Sequence, residues 1–197
     1  VRPSDHQEPT RIAWLQCVGS RDLQHCDHSY CSAVCCMYAI KEAVIAKEHS
    51  GQPLDTAIFF MDMRTHGKEF ERFYDDAREK QGVRFIRSRV HTVSPVTGSD
   101  DLELRYVTER GELVTENFDM VVLSMGLVAA DRNKKLAKAL KLELDELGYF
   151  KEADPFLAPL ETKVEGIYLC GGATGPIDIS ESVVQATAAG IKAVSAR

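Results

Sequence analysis

Short apolar runs alternate along this chain with longer segments whose apolar positions recur every three to four residues, and that alternation predicts most of its elements. Residues 11 to 18, RIAWLQCV, suit a buried strand that ends near Cys17 and Gly19. The polar stretch GSRDLQHCDHSY reads as a loop. From Ser32 the sequence AVCCMYAIKEAVIAKEH carries helix formers at helical spacing, until Gly51 and Pro53 close the helix. A second strand over residues 56 to 64, TAIFFMDMR, precedes a helix in KEFERFYDDAREKQG. There Phe70, Phe73, Tyr74 and Ala77 share one core-facing side and Gly82 is the stop. VRFIRSRV, residues 83 to 90, is a third strand. Strand, helix, strand, helix, strand predicts a parallel sheet with right-handed crossovers.

The pattern then changes period. HTVSPV and DLELRYVTERGELVTENFD read as a meander of short antiparallel strands turning at Gly98 and Gly111, after which MVVLSMG, residues 120 to 126, returns to a buried strand. Beyond Gly126, AADRNKKLAKALKLELDELG holds a basic amphipathic helix and a Leu-rich turn. YFKEADPFLAPLETKVEG is a loop with short strands, IYLCGG (167 to 172) is another buried strand, and ISESVVQATAAGIKAVSA is a closing helix.

Composition narrows the classes. With 197 residues and 44% hydrophobic content there is room for a packed core. A net charge of −6 supplies no basic stripe to follow phosphates, which argues against nucleic acid as a partner. No apolar run approaches the roughly 20 residues needed to cross a bilayer. The start VRPSDHQEPT has neither the basic nor the apolar region of a secretory signal, and it lacks an initiator Met, so a fragment of a longer protein is expected. Six cysteines without an export signal read as thiols or metal ligands in a reducing cytoplasm rather than as a disulfide framework. Cys35 and Cys36 are adjacent on a helix and point about 100° apart, so a bridge between them would be strained.

Candidate chemistry centres on Cys17, at the end of the first strand, and on Cys31, Cys35 and Cys36 in CSAVCC. Four thiols from a strand end and a helix start suit zinc, copper(I) or an iron-sulfur cluster; they also suit three simpler roles. They could be buried small hydrophobes, the ties of a zinc-stabilised interaction module, or a thiol-disulfide oxidoreductase with Cys35 or Cys36 as nucleophile. A helix N-terminus lowers thiol pKa and favours an anionic cluster. Cys26 sits in the polar loop as an alternative ligand, flanked by His25 and His28, which read as solvated, while Cys170 reads as a core residue. Lys134, Lys135, Lys138 and Lys141 form a solvated face. Lys41, taken alone, is an ordinary solvent-facing helix lysine.

In order, these elements resemble the pyridine-nucleotide domain of thioredoxin-reductase-like flavoproteins followed by the last segment of their FAD domain. The fold expected is therefore α/β and Rossmann-like, with a parallel central sheet and an antiparallel meander. Residues 1–10 would be a leader, 11–126 the nucleotide-domain-like region with the cysteines, and 127–197 the end of the FAD domain. One departure is large: CVGSRD, an insertion and CSAVCC stand where those enzymes carry a Gly-rich phosphate loop. That exchange, with LQCVGSRD, YCSAVCCMYAIKEA and IYLCGGATGPIDISESVVQATAAG, resembles the A-type iron-sulfur flavoproteins of the heterodisulfide reductase family. The resemblance implies a [4Fe-4S] cluster on Cys17, Cys31, Cys35 and Cys36 close to an FAD, with Lys41 approaching the flavin N5. It further implies flavin contacts from Gly171 and Gly172 and from the run Pro176, Ile177, Asp178, Ile179 and Ser182, where a helix N-terminus faces flavin carbonyls or pyrophosphate. Where the wider family has Asp after the first of these glycines, this chain has Gly172. The GxGxxG fingerprint for the ADP half of FAD is absent from the sequence, so the chain is expected to supply part of a flavin site and, alone, to be inactive. The implied role is electron transfer for disulfide reduction, including flavin-based bifurcation. Other heterodisulfide-reductase-type subunits and ferredoxin- or hydrogenase-type proteins would be the partners, with a homodimer also compatible.

Overall fold

The computed structural model describes residues 1–26 and 28–195; Asp27 of the expected loop and Ala196 of the expected closing helix lie outside them. The chain forms two compact units. One comprises Val1–Cys31 and Cys35–Gly126, the other Ser32–Val34 with the chain from Leu127 on.

The first unit is built on strands β1 (Arg11–Val18), β2 (Asp55–Phe60), β3 (Arg84–Arg87) and β7 (Met120–Met125), which form one parallel sheet in the order β3-β2-β1-β7. Helices α1 (Cys35–His49) and α2 (Phe70–Glu79) make the crossovers. Between β3 and β7 the chain runs through the antiparallel strands β4 (Thr92–Pro95), β5 (Leu102–Val107) and β6 (Leu113–Phe118). Alternation along the strands explains the layering. Ile12, Trp14 and Ile58 pack on one face against Ala39, Ile40, Ala43 and Val44 of α1 and Ala77 of α2. Ala13, Leu15, Ala57 and Phe59 point the other way, into Leu104, Tyr106 and Phe118 of the meander. The two central strands β1 and β2 are thus buried on both faces, which is why they read as continuous apolar runs.

Several boundaries differ from expectation. The first helix begins at Cys35 rather than Ser32, because Ala33 takes a left-handed backbone (φ 59°) that stops the helix from extending further back. The second strand ends at Phe60, where pairing with Arg87 of β3 gives out, so Met61–Arg64 leave the sheet. Gly98 and Gly111 turn the meander at φ 88° and 81°, as expected.

A charged cluster ties the two sheets of this unit. Arg84 bonds Asp55 through Nε and Nη2, both at 2.9 Å, and Glu116 Oε2 at 3.0 Å; Arg11 reaches Glu116 at 3.1 Å, and the Tyr106 hydroxyl donates to Glu116 at 2.7 Å. Both guanidinium groups lie over the Phe118 ring. Partial dehydration would raise the two carboxyls, but hydrogen bonds from Arg84, joined by Arg11 on Asp55 and Tyr106 on Glu116, outweigh it and hold both below their ordinary values. A depressed carboxyl contributes stability that is complete above its unfolded value of about 4 and is lost as pH falls through the lower folded value. Arg84→Gln is therefore expected to cost about 1–2 kcal/mol near neutrality and to move acid unfolding to higher pH. Urea titrations followed by far-UV circular dichroism at several pH values check it.

The second unit has little regular structure. It contains α3 (Asn133–Leu140) and α4 (Ile179–Ser195), with a small core of Ala137, Phe150 and Leu169. The strand expected at 167–172 does not form: Tyr168 pairs with Glu161 through one isolated bridge, and Gly171–Ala173 make a single 3-10 turn. A strand needs a neighbour to complete its ladder, and here the neighbouring chain offers one residue. Lys134, Lys135, Lys138 and Lys141 are exposed, as expected of a solvated face. Along α4, Ile179, Val183, Val184, Ile191 and Val194 are each at least 60% exposed, so this helix shows an apolar surface. Among the described residues no helix is long and apolar enough to cross a membrane.

Candidate functional site

The thiols gather where β1 hands over to α1. Between Leu15 and Val18 the pairing with β7 slips, so that Gln16 and Cys17 together stand opposite Ser124 alone. Cys17 takes φ 61° within that bulge, a left-handed conformation costing a non-glycine residue about 1–2 kcal/mol. The chain then folds back on itself. Ser20 N–H donates to Cys17 O at 3.3 Å, Arg21 N–H to Tyr30 O at 3.1 Å, and Asp22 and His28 exchange backbone bonds at 2.8 and 3.2 Å. Asp22 pins this excursion: its carboxylate accepts from the Gln24 amide at 3.0 Å, bonds the His25 ring at 2.9 Å and pairs with Arg89. Its dehydration is outweighed by hydrogen bonds from His25, Arg89 and nearby amides, and its pKa falls to about 2. The return leg brings Cys31 within electrostatic reach of Cys35 and Cys36, which open α1.

Cys17, Cys35 and Cys36 are buried and linked in series. The Cys17 thiol donates to Cys35; that bond, reinforced by burial, pushes Cys17 far above the ordinary thiol range, against a downward pull from Arg21. Cys35 is drawn down by the bond from Cys17, but donation to Cys36 and burial push it up to about 11 overall. Cys36 ends the series. The bond from Cys35, with one from the Arg64 amide, lowers its pKa despite burial, and its sulfur also lies 3.9 Å from Asp62 O. No acidic residue opposes a thiolate in the first turn of α1. Among the described residues, no three His, Cys, Asp or Glu side chains are grouped as they would be around a single metal ion.

Two residues with no clear sequence signal complete this environment. Ser20 Oγ and Arg21 Nη1 are both buried without a hydrogen-bond partner, and both follow Cys17 within four residues. The only pointer to them is the SRD after Gly19; what hides it is the bulge, which has no signature in the residue types. Arg21 is held from behind by Asp62, its Nη2 donating to Oδ2 at 2.6 Å. Beside the thiols, a cleft of about 260 Å³ opens at the carboxyl ends of β1 and β2, lined by Cys17, Asp22, His25, Cys26, Phe59 and Arg89 among others. Ligands of open α/β sheets bind at such strand ends. Cys26 is half-buried, donates to Asp22 O at 3.0 Å and stands outside the thiol series. His25 is exposed as expected, while His28 is half-buried, its Nδ1 3.1 Å from Gly19 O and its ring tilted over Tyr30. Lys41 is exposed on α1.

The residues expected to touch a flavin lie in the second unit. Gly171 needs its φ of 64°, and its N–H donates to Gln185 Oε1 at 2.9 Å. Asp178 caps α4, accepting from the Glu181 amide at 2.7 Å, and Ser182 Oγ donates to Asp178 O at 2.6 Å. Gly172 has free space where a Cβ would stand, Pro176 and Ile177 are half-buried, and Ile179 is exposed. Cys170, expected in the core, is half-buried because it precedes the open turn. Gly171→Ala is expected to destabilise this unit by about 1 kcal/mol through its backbone alone, whereas Gly172→Ala should leave stability unchanged. Thermal unfolding of the two variants distinguishes them.

A profile of the family described as pyridine nucleotide-disulphide oxidoreductase matches residues 54–190. The A-type iron-sulfur subunit of the CoB--CoM heterodisulfide reductase of Methanocaldococcus jannaschii is 45% identical over 190 residues, 96% of this chain and 29% of that protein. The A-type component of the H(2)/formate:CoB-CoM heterodisulfide,ferredoxin reductase of Methanococcus maripaludis is 42% identical over 195 residues, again 96% of this chain and 29% of the relative. The chain thus spans less than a third of the length of either. Among solved structures, LpdA from Mycobacterium tuberculosis aligns with a TM-score of 0.53 at 15% identity, over 96% of this chain and 35% of LpdA, which is a likeness of fold.

Proposed function

Because this chain belongs to the pyridine nucleotide-disulphide oxidoreductase family and is similar along nearly all its length to the A-type components of heterodisulfide reductases, we propose that it carries the electron-transfer site of an FAD and [4Fe-4S] oxidoreductase. The main support is the set of four thiols at the junction of β1 and α1, accompanied by two buried donors without acceptors, Ser20 Oγ and Arg21 Nη1. Thiolates and bridging sulfides are acceptors, so an anionic cluster on Cys17, Cys31, Cys35 and Cys36 would satisfy both donors. Binding to a cluster puts each thiolate on a different iron, whereas zinc draws four sulfurs to about 2.3 Å from one point.

When bound, the flavin exchanges electrons in pairs and the cluster passes them on singly. The protein's own contribution is to hold the ligands and set the charge around them. The first turn of α1 presents amides and positive dipole to Cys35 and Cys36, and Arg21 adds a cation beside Cys17. In this proposal Lys41 supplies the positive charge that favours a reduced, anionic flavin. Gly171, Gly172, Pro176, Ile177, Asp178, Ile179 and Ser182 contribute the turn and helix start that hold it; because Asp178 caps α4 and the Ser182 hydroxyl is engaged with the Asp178 carbonyl, the part of these two is to shape the start of α4. Gly172→Ala, neutral for folding, should weaken flavin retention. Disulfide reduction in the cytoplasm, coupled through flavin-based bifurcation to ferredoxin- or hydrogenase-type partners, is the finer form of the same proposal.

The test is the visible spectrum of anaerobically prepared protein, with iron and acid-labile sulfide assays. A broad brown absorption that bleaches on reduction is expected. A colourless protein with stoichiometric zinc would overturn the proposal.

A further inference from the structure

Arg21 is placed with more care than a surface arginine requires. Its own backbone is left-handed, at φ 55°. Asp62, just past the end of β2, grips Nη2 at 2.6 Å, and Arg87 flanks the same carboxylate at 3.6 Å. The side chain is largely buried, its guanidinium reaches the Cys17 sulfur as a hydrogen-bond donor, and Nη1 itself makes no well-formed hydrogen bond. A neutral thiol is a weak acceptor for a buried guanidinium N–H, so an anionic sulfur at or beside Cys17 would complete the arrangement. Arginine cannot shed its charge, and its fork fixes direction as well as sign.

We propose that Arg21, clamped by Asp62, is a positioning residue that sets the reduction potential of a cluster held by Cys17, Cys31, Cys35 and Cys36. A fixed cation and an N–H donor near cluster sulfur stabilise the state with one more electron, and hydrogen bonds to sulfur together with net charge are the protein's main means of moving cluster potentials. Asp62 holds the guanidinium in place and partly offsets its charge.

The inference rests on the cluster assignment and is tested separately from it. The full-length protein and its Arg21→Gln and Arg21→Lys variants are loaded anaerobically, assayed for iron and sulfide, and titrated with EPR detection. With clusters present, Arg21→Gln should lower the one-electron reduction equilibrium by tenfold or more, about 59 mV, while Arg21→Lys, which keeps the charge, should stay nearer the wild type. An unchanged potential in Arg21→Gln overturns the proposal, as does an Arg21→Lys shift equal to that of Arg21→Gln. If Arg21→Gln takes up no cluster, Arg21→Lys decides: a potential near the wild type supports the role of charge, and a tenfold displacement refutes it. A wild-type protein that takes up no cluster refutes the cluster assignment itself.

Discussion

Replacing Cys35 with serine is expected to abolish cluster assembly, leaving iron and acid-labile sulfide near background and removing the visible absorption. Cys35 is the middle of the series, receiving from Cys17 and donating to Cys36, and it is 1% exposed. A serine hydroxyl is a hard, weakly acidic ligand that iron-sulfur chemistry does not favour, and its loss should exceed the roughly 10–100-fold effect of an outer-shell change on metal affinity. Cys26→Ser is the matched control, because Cys26 bonds to Asp22 O and takes no part in the series. Full iron in Cys35→Ser, or loss in Cys26→Ser alone, would move the ligand set away from α1. Far-UV circular dichroism separates loss of the site from loss of the fold.

Phe59→Ala is expected to cost about 4 kcal/mol, a large part of the 5–15 kcal/mol that holds a typical domain folded. Phe59 is 2% exposed and lies on the face of β2 that meets the meander, edge-on to Tyr106 at 4.9 Å and to Phe118 at 6.0 Å. Neither ring can fill the space, since Phe118 is held under two arginines and the Tyr106 hydroxyl is committed to Glu116. The urea midpoint should fall steeply with little change in slope. A drop below 1 kcal/mol would mean that the meander packs independently of the parallel sheet. Because Phe59 also lines the cleft beside Cys17, the same variant should loosen that cleft's wall.

Periodicity disclosed β1 and β2 because they are buried on both faces, and β5 and β6 because they alternate; β7 showed as an apolar run although Leu123 and Met125 are exposed. It failed at IYLCGG, whose composition suits a strand but whose pairing among the described residues is the single bridge of Tyr168 with Glu161; partner availability is a tertiary fact. The cysteines were visible as residue types; the structure links Cys17 at the end of β1 with Cys35 and Cys36 at the start of α1 and brings Cys31 within electrostatic reach of them. Arg21 was not visible as part of that site, because its place depends on the left-handed turn after Cys17 and on Asp62, which is 41 residues away in sequence. Asp178 and Ser182 were visible as a helix start, but the cap bond to Asp178 and the Ser182 hydroxyl's bond back to the Asp178 carbonyl emerge only from geometry.

The slip between Leu15 and Val18 has a consequence for how this site could be gained or lost. Side chains on a strand change face with every residue, so the direction of the thiol at the end of β1 is encoded in the number of residues, not in their identities. Deleting Gln16 would give an unbroken ladder with β7 and at the same stroke carry Cys17 to a different face. In this fold, one codon of length separates a strand that ends in a ligand from a strand that merely ends.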